Sequence, residues 1–309
     1  MNAGVGTAGV GTAAVGVAYP GLAGLLARCR FPAPGTAVNC AVSGGADSLA
    51  LLVLATSAGC ATTALHVDHG LRRGSADEAE VVAEAAIRFG AGFRSVRVPV
   101  SLGPNLEARA REARSGALPP DVLTGHTADD QAETVLLNLL RGAGTAGLAG
   151  IRRDRRPLLD LRRAETAALC AALGLTPVTD PTNASLAFRR NRVRHQLLPL
   201  LDDIAERDVV PVLARQADLL RDEADLLDEL AAAIDVTDAR ALAAAPRPLA
   251  RRAVRQWLTG DHPPDAATVE RVLEVAGGSS RACDAGLGRR VERHAMRLRL
   301  VGPLTEAAG

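Results

Sequence analysis

The chain contains no lysine, so all 36 of its basic residues are arginine. A Walker P-loop needs its lysine to reach nucleotide phosphates, and that class of phosphate-binding protein is therefore excluded. Aromatic residues make up only 2% of the 309 residues, which leaves few surfaces on which bases could stack. A nucleic acid would have to be bound mainly through arginine, whose guanidinium group contacts phosphates well.

Cysteine and long apolar runs are also scarce. The five cysteines are scattered and include no C-x-x-C pair, so we expect no disulfide framework, no zinc site and no iron–sulfur cluster. No apolar run approaches the length of a membrane span, and the N-terminus has no basic region typical of a signal peptide. We therefore predict a cytoplasmic protein without membrane attachment. Its hydrophobic content of 48% is enough for a substantial core.

Short apolar runs alternate with Ala/Leu/Glu-rich stretches from Thr36 to about Gly125. Strands are predicted at residues 37–42, 61–67, 93–98 and 121–124, and helices at residues 48–58, 75–89 and 105–117. This alternation predicts an α/β fold with a parallel sheet flanked by helices on both faces. Ligands of such folds bind beyond the carboxyl ends of the strands.

The rest of the chain is predicted to be mainly helical. Helices are expected at residues 129–140, 163–173 and 202–230, and a small hairpin at residues 289–301. We predict three regions: a flexible low-complexity extension (1–34), a catalytic α/β domain (35–201) and a helical domain with a C-terminal hairpin (202–309).

The first motif with a chemical interpretation is Ser43-Gly44-Gly45-Ala46-Asp47-Ser48, which lies between two apolar runs. The pattern predicts a strand, a tight loop and the N-terminus of a helix. Several backbone N–H groups and the positive end of the helix dipole would then point at one place, where a phosphate fits. The alternative is an ordinary turn in which Asp47 or Ser48 caps the helix. The six residues alone leave both interpretations open.

A second motif runs from Gly125 through His126 to Thr134 and contains three acidic residues. Asp129 and Glu133 are four residues apart, so they lie on one face of the predicted helix together with the nearby Asp130. Such like charges repel unless a cation or an arginine-rich partner reverses the effect, and magnesium on a nucleotide would suit oxygen-rich sites of this kind. The alternative is that these acids only complement the helix dipole.

Two further motifs follow the second and third predicted strands. His66-Val67-Asp68-His69-Gly70-Leu71-Arg72 could contact a ribose, a base or a metal, but a zinc site lacks further ligands at suitable spacing. In the run Asn105–Arg114, the spacing places Glu107, Arg111 and Arg114 on one helix face. Taken alone, that run is typical of a solvated helix.

Together the four motifs resemble the N-type ATP pyrophosphatases, or PP-loop superfamily, and within it the tRNA(Ile)-lysidine synthetase family. The similarity covers residues 36–201 and continues through Arg156–Leu159, Asp180–Asn183 and Arg190–Pro199 in the same order. It implies an enzyme that adenylates the wobble cytidine of the CAU anticodon of tRNA(Ile) with ATP, releasing pyrophosphate. Free lysine then displaces AMP and forms lysidine.

The resemblance also implies site residues. Catalytic roles fall on Asp47, His126, Asp130, Glu133, Arg111 and Arg114. ATP binding falls on Ser43, Gly44, Gly45, Ala46, Asp47, Ser48, Val67, Asp68, His69 and Gly125. Contacts to substrate or tRNA fall on Asn105, Glu107, Arg72, Arg190, Arg192 and Arg194, and magnesium ligation falls on Asp47 and Asp130.

The chain departs from the family pattern in two places. Ser115 follows Arg114 where the family usually has an aromatic residue, and the C-terminal part is shorter than in the longest members. We therefore expect reduced or rearranged recognition of the tRNA acceptor stem. A tRNA thiolase of the same superfamily is one alternative, although such enzymes rely on cysteines near the nucleotide; a non-catalytic nucleotide-binding protein is another. The oligomeric state is left open between a monomer and a homodimer.

Overall fold

The computed structural model describes residues 12–68, 75–98, 116–178, 182, 185–260 and 262–302. Residues 1–218 form one compact unit, and residues 219–309 form a second. The first unit contains the predicted α/β domain together with the helices that follow it.

A four-stranded parallel sheet lies at the centre of the first unit. Its strands are β1 (Ala37–Ala41), β2 (Ala61–Asp68), β3 (Gly92–Arg97) and β4 (Leu123–Thr124). Their order is β3-β2-β1-β4, and every neighbouring pair is parallel. The sequence prediction of a parallel sheet is therefore confirmed. Because the strands are parallel, their carboxyl ends meet at one edge, where the first two motifs also lie.

Nine α-helices lie wholly within the described part of the first unit. They are α1 (Thr12–Ala18), α2 (Leu22–Leu26), α3 (Ala46–Ser57), α4 (Ser75–Arg88), α5 (Ala128–Leu139), α6 (Thr145–Leu148), α7 (Arg163–Ala172), α8 (Arg189–Arg192) and α9 (Leu198–Ala205). Helix α3 is apolar on all sides, and Leu49, Leu51, Leu52 and Leu54 are fully buried. A helix of this kind must be covered on every face, so the core holds α3 rigidly beneath the loop that precedes it.

Residues 1–34 were predicted to be a flexible extension, but the structure has two helices, α1 and α2, within this stretch. Val15, Leu22 and Leu25 are buried and join the same core cluster as α3. The stretch is rich in glycine and alanine, yet these few larger side chains are enough to attach two short helices to the core. Residues 1–11 lie outside the described part of the chain.

The chain between residues 189 and 214 is packed against α5. Helices α8 and α9 are joined by one π-helical turn, Val193–Leu197. Val193 and Leu198 pack with Ala132 and Leu136 of α5, and Leu213 lies against the same cluster. The residues just after the predicted domain boundary at 201 therefore share a core with the α/β domain, which explains why the compact unit extends to residue 218.

The second unit combines helices with a small antiparallel sheet. After α10 (Val210–Ala232) come three helices and three strands: α11 (Ala239–Ala244), α12 (Arg247–Leu258), α13 (Ala266–Gly277), β5 (Ala282–Gly286), β6 (Arg289–His294) and β7 (Arg297–Val301). Strands β6 and β7 pair antiparallel over the residues for which a hairpin was predicted, and β5 adds a third strand. Within the described residues, no helix is both long and apolar enough to cross a membrane.

Gly125 permits a close approach between two loops at the carboxyl edge of the sheet. It follows β4, and a Cβ atom at this position would lie 2.6 Å from the backbone carbonyl oxygen of Asp47. Backbone atoms at that distance would have to move, so only glycine fits without a shift. The loop after β4 and the N-terminus of α3 are adjacent for this reason.

We expect Gly125→Ala to lower the free energy of unfolding by about 1–3 kcal/mol, because the added methyl group overlaps rigid backbone. Urea unfolding followed by circular dichroism measures this change. Gly24→Ala is the control, since a Cβ on Gly24 meets nothing within 4 Å. An unfolding midpoint that is the same for Gly125→Ala and the wild type would contradict the close approach.

Candidate active site

The loop between β1 and α3 contains residues Ser43–Gly45 and is tied to Ser48 of α3 by hydrogen bonds. Ser48 Oγ donates to the carbonyl oxygen of Gly45 at 2.8 Å, and the backbone N–H of Ser43 donates to Ser48 Oγ at 3.2 Å. Gly44 adopts φ +88°, a left-handed conformation that favours glycine. We call residues 43–48 the phosphate loop.

The N-terminus of α3 has no side-chain cap among the described residues. The N-cap position is Gly45, and neither Asp47 nor Ser48 occupies it. The interpretation in which Asp47 or Ser48 caps an ordinary turn is therefore wrong. The N–H of Ser48 donates to the carbonyl oxygen of Gly45 at 3.1 Å, and no described side chain caps the N–H groups before it. An anion such as phosphate suits this position, at the positive end of the helix dipole.

Asp47 lies in the first turn of α3 and is held from α7. The Thr166 hydroxyl donates to Asp47 Oδ1, and Arg163 Nε lies 3.6 Å from Asp47 Oδ2. Burial raises the pKa of Asp47, and the hydrogen bond from Thr166 opposes that rise only in part. The carboxylate is thus partly shielded from water but keeps accepting capacity on Oδ2.

Asp130 is occupied on both of its oxygens. Oδ2 accepts from the backbone N–H of Thr127 at 2.9 Å and from the Thr127 hydroxyl at 3.1 Å. Oδ1 accepts from Arg163 Nη2 at 3.1 Å and from Arg190 Nη2 at 2.9 Å. A carboxylate has about four acceptor sites, so little capacity is left for a metal ion. This arrangement does not fit the predicted role of Asp130 as a magnesium ligand.

Glu133 is the most enclosed charge at the site, with a side chain that is 0% exposed. Three arginines donate to it. Arg163 Nη1 lies 3.1 Å from Oε1, Arg190 Nε lies 2.7 Å from Oε2, and Arg194 Nε lies 2.7 Å from Oε1. The repulsion expected among the acids of α5 is thus reversed by arginines of this same chain.

Asp129 completes the set of ion pairs on α5. It accepts from Arg162 Nε at 3.1 Å and from the backbone N–H of Arg163 at 2.8 Å. Burial by itself would raise the pKa of Asp129, but these hydrogen bonds outweigh it and lower the pKa. Burial likewise opposes ionisation of Asp130, and the charges of Arg163 and Arg190 lower its pKa nonetheless.

Four arginines were predicted to contact substrate or tRNA, and the structure describes three of them, which it places in different surroundings. Arg190 and Arg194 point toward Glu133 as described above, so their guanidinium groups are engaged inside the protein. Arg192 is exposed and donates to Gln196 on the same helical segment. Of the three, Arg192 is the one whose surroundings suit a contact with RNA phosphate.

Histidines lie at the carboxyl ends of two strands. His66 is buried at the end of β2, and its Nδ1 is 2.9 Å from the carbonyl oxygen of Val42, next to the phosphate loop. His126 follows β4, and its Nδ1 is 2.8 Å from the Thr124 hydroxyl. Val67 and Asp68 end β2 at the same edge of the sheet. This edge therefore gathers the predicted ATP-binding residues that the structure describes.

Some predicted site residues cannot be compared with the structure. His69, Arg72, Asn105, Glu107, Arg111, Arg114 and the departure at Ser115 lie outside the described residues. Their assigned roles stay predictions.

Sequence reasoning missed three residues that organise the site. Arg162 and Arg163 are two of 36 arginines, and Thr166 is one of many threonines. The only available signal was the requirement that the acids of α5 find a positive partner. That requirement does not say which of the 36 arginines supplies it.

The described cysteines are poorly suited to act as nucleophiles. Burial raises the pKa of Cys29, Cys40 and Cys170 to about 12 in each case. At neutral pH such thiols are almost entirely protonated, and only the thiolate is reactive. Among the described residues, no group of three His, Cys, Asp or Glu side chains converges on a metal position.

The chain resembles known proteins along most of its length. A family model for the PP-loop domain matches residues 25–201. The tRNA(Ile)-lysidine synthase of Nocardia farcinica is 48% identical over 246 residues, covering 74% of this chain and 77% of its own length. The protein of the same name from Mycobacterium leprae is 44% identical over 238 residues, covering 71% of this chain and 73% of its own.

A solved structure supports the fold assignment. The U34-tRNA thiolase NcsA from Methanococcus maripaludis aligns with a TM-score of 0.50 at 18% identity, covering 67% of this chain and 80% of its own. At that identity the likeness is one of fold alone. The parallel sheet, the phosphate loop and the matched domain define a PP-loop ATP-binding protein. Within that class, the chain belongs to the tRNA(Ile)-lysidine synthase family, whose members are ligases.

We expect Glu133→Gln to lower the free energy of unfolding by about 2–4 kcal/mol, because it leaves three clustered arginines without their shared buried anion. Chemical denaturation measures the loss. Glu270→Gln is the matched control: Glu270 also accepts from two arginines, Arg247 and Arg251, but at the surface. Its loss should be clearly smaller than that of Glu133→Gln, because water screens ion pairs at the surface. Equal losses for the two variants would contradict a role for burial.

The lowered pKa of Asp129 predicts a pH-dependent contribution to stability. An acid whose pKa is lower in the folded state stabilises the fold above its unfolded pKa of about 3.9, and this contribution disappears as the pH falls through the folded value. Asp129→Asn should therefore be less stable than the wild type at pH 7, and the difference should shrink below about pH 4. Urea unfolding across this pH range tests it, with the exposed Asp121→Asn as control.

Proposed function

We propose that this chain joins free lysine to the wobble cytidine of the CAU anticodon of tRNA(Ile), through an adenylated cytidine, with release of pyrophosphate and AMP. The observation that carries the proposal is the phosphate loop with its uncapped helix N-terminus, in a chain 44–48% identical to tRNA(Ile)-lysidine synthases across most of its length. Because tRNA, ATP and lysine are present together in the cytoplasm, we place the reaction there.

The phosphate loop supplies what the first step needs. A ring carbonyl oxygen is a poor leaving group until it is adenylated, and negative charge then develops on the departing pyrophosphate. Backbone N–H groups at the start of α3 can stabilise that charge without reorganising, since the buried helix holds them in place. We assign the phosphates of ATP to residues Ser43–Ser48.

Magnesium fits one of the two predicted ligands. Within the described part of the chain, the ion-pair partner of Asp47 Oδ2 is Arg163 Nε at 3.6 Å, so this carboxylate can hold a cation beside the phosphate loop. Asp130 does not fit, since both of its oxygens are engaged. Magnesium held by Asp47 would neutralise charge on the phosphates of ATP. Asp130 and Glu133 instead orient arginines.

We assign His126 and the exposed Arg192 to proton transfer and to tRNA binding. His126 is only partly buried at the carboxyl end of β4, where a proton could be exchanged with a substrate held at this edge. We propose that Arg192 contacts tRNA, since it is exposed close to the site. A thiolase activity is disfavoured because burial leaves the described cysteines largely protonated.

The proposal predicts that label from radioactive lysine is transferred to tRNA(Ile) with a CAU anticodon, only when ATP and magnesium are present. A transcript with uridine at the wobble position is the control and should stay unlabelled. Asp47→Ala should reduce transfer at least about a hundredfold, since it removes both the proposed metal ligand and a charge at the phosphate loop.

Replacement of all five cysteines by alanine separates this activity from thiolation. We expect lysine transfer within a few-fold of the wild type once folding is confirmed. Absence of lysine transfer by the wild-type enzyme, together with pyrophosphate release that depends on a sulfur donor, would overturn the proposal.

A further inference from the structure

The first turn of α7 touches the phosphate loop and α5 at the same time. Thr166 is fully buried, and its hydroxyl oxygen lies within hydrogen-bond distance of two acceptors, Asp47 Oδ1 and the carbonyl oxygen of Arg163, the latter at 2.8 Å. The single hydroxyl proton is shared between these two acceptors. Arg163, the first residue of α7, extends its Nε to within 3.6 Å of Asp47 Oδ2. The first turn of α7 therefore contacts both carboxylate oxygens of Asp47.

Arg163 is itself anchored on α5 at three points. Nη1 donates to Glu133 at 3.1 Å, Nη2 donates to Asp130 at 3.1 Å, and its backbone N–H donates to Asp129 at 2.8 Å. These bonds fix the turn of α7 relative to α5. The position of the Asp47 carboxylate consequently depends on the acids of α5, with which it shares Arg163.

We propose that Thr166 and Arg163 are positioning residues that hold the Asp47 carboxylate in the orientation that binds magnesium–ATP. The inference rests on the proposed role of Asp47 in magnesium binding. Thr166 fixes Oδ1 by a hydrogen bond, while the contact that the described residues make with Oδ2 is the longer ion pair with Arg163. Oδ2 is therefore the oxygen assigned to the cation. A carboxylate already held in place pays less conformational entropy when it binds.

Two substitutions at Thr166 can separate the effect of its hydroxyl group from the effect of its packing. Valine has nearly the same shape as threonine, so Thr166→Val keeps the packing of the buried turn but removes the donor to Asp47. Thr166→Ser restores the donor and removes only a methyl group. The two variants therefore separate the hydrogen bond from the packing at this position.

The test measures steady-state kinetics of lysine transfer together with equilibrium binding of ATP, with and without magnesium. We expect Thr166→Val to raise the KM for magnesium–ATP by about tenfold, the effect of losing one hydrogen bond to a charged group. The KM values for lysine and tRNA should stay within about twofold, a selectivity that general loss of structure would not produce. Thr166→Ser should recover most of the affinity for magnesium–ATP.

Thr56→Val is the matched control, because the Thr56 hydroxyl donates only within α3, to the carbonyl oxygens of Leu52 and Val53. For the arginine, Arg163→Lys should also raise the KM for magnesium–ATP. Arg28→Lys should not, since Arg28 pairs with Glu165 on the same turn of α7 without contacting Asp47. Thermal unfolding of each variant shows whether a loss arises from unfolding.

The outcomes distinguish the positioning role of Thr166 from the proposed role of Asp47 in magnesium binding. If Asp47→Asn abolishes magnesium-dependent ATP binding while Thr166→Val binds like the wild type, the positioning role is wrong and the role of Asp47 stands. If Asp47→Asn itself binds magnesium–ATP normally, the assignment of Asp47 fails. Equal effects of Thr166→Val and Thr56→Val on every substrate would overturn the positioning role as well.

Discussion

Neutralisation of a buried glutamate by three arginines is the interaction on which the site depends. Glu133 is fully enclosed, and an unpaired carboxylate in that position would cost several kcal/mol. Arg163 reaches it from α7, whereas Arg190 and Arg194 reach it from the helical segment that follows residue 188. One charge on α5 thereby holds together elements that are distant along the chain.

This arrangement divides the acidic residues at the carboxyl edge of the sheet into two groups. Asp129, Asp130 and Glu133 each accept hydrogen bonds from at least one arginine of this chain. Asp47 instead lies in the first turn of α3, where its Oδ2 is 3.6 Å from Arg163 Nε. Arg163 contacts both groups of acids. The proposed position of the Asp47 carboxylate therefore depends on the ion pairs that Arg163 makes with α5.

Sequence reasoning succeeded where a local pattern carries the information. The strands, the phosphate loop and α5 follow from alternating apolar runs and glycine-rich turns, and the structure has all of them. It was less successful with Arg190 and Arg194, which were predicted to face RNA. An exposed arginine and one that pairs with an acid 57 or 61 residues away look the same in sequence. The packing of α1 and α2 was missed because glycine and alanine dominate their composition.

By itself, the sequence determined the class of the protein. The absence of lysine excludes a Walker loop, and the phosphate loop together with the later motifs, in their order, indicates the PP-loop family. Only the tertiary structure decided what the charges do. Ion pairing depends on distances between residues that folding brings together, and no local pattern records those distances. The structure therefore shows which arginines pair with the acids of α5.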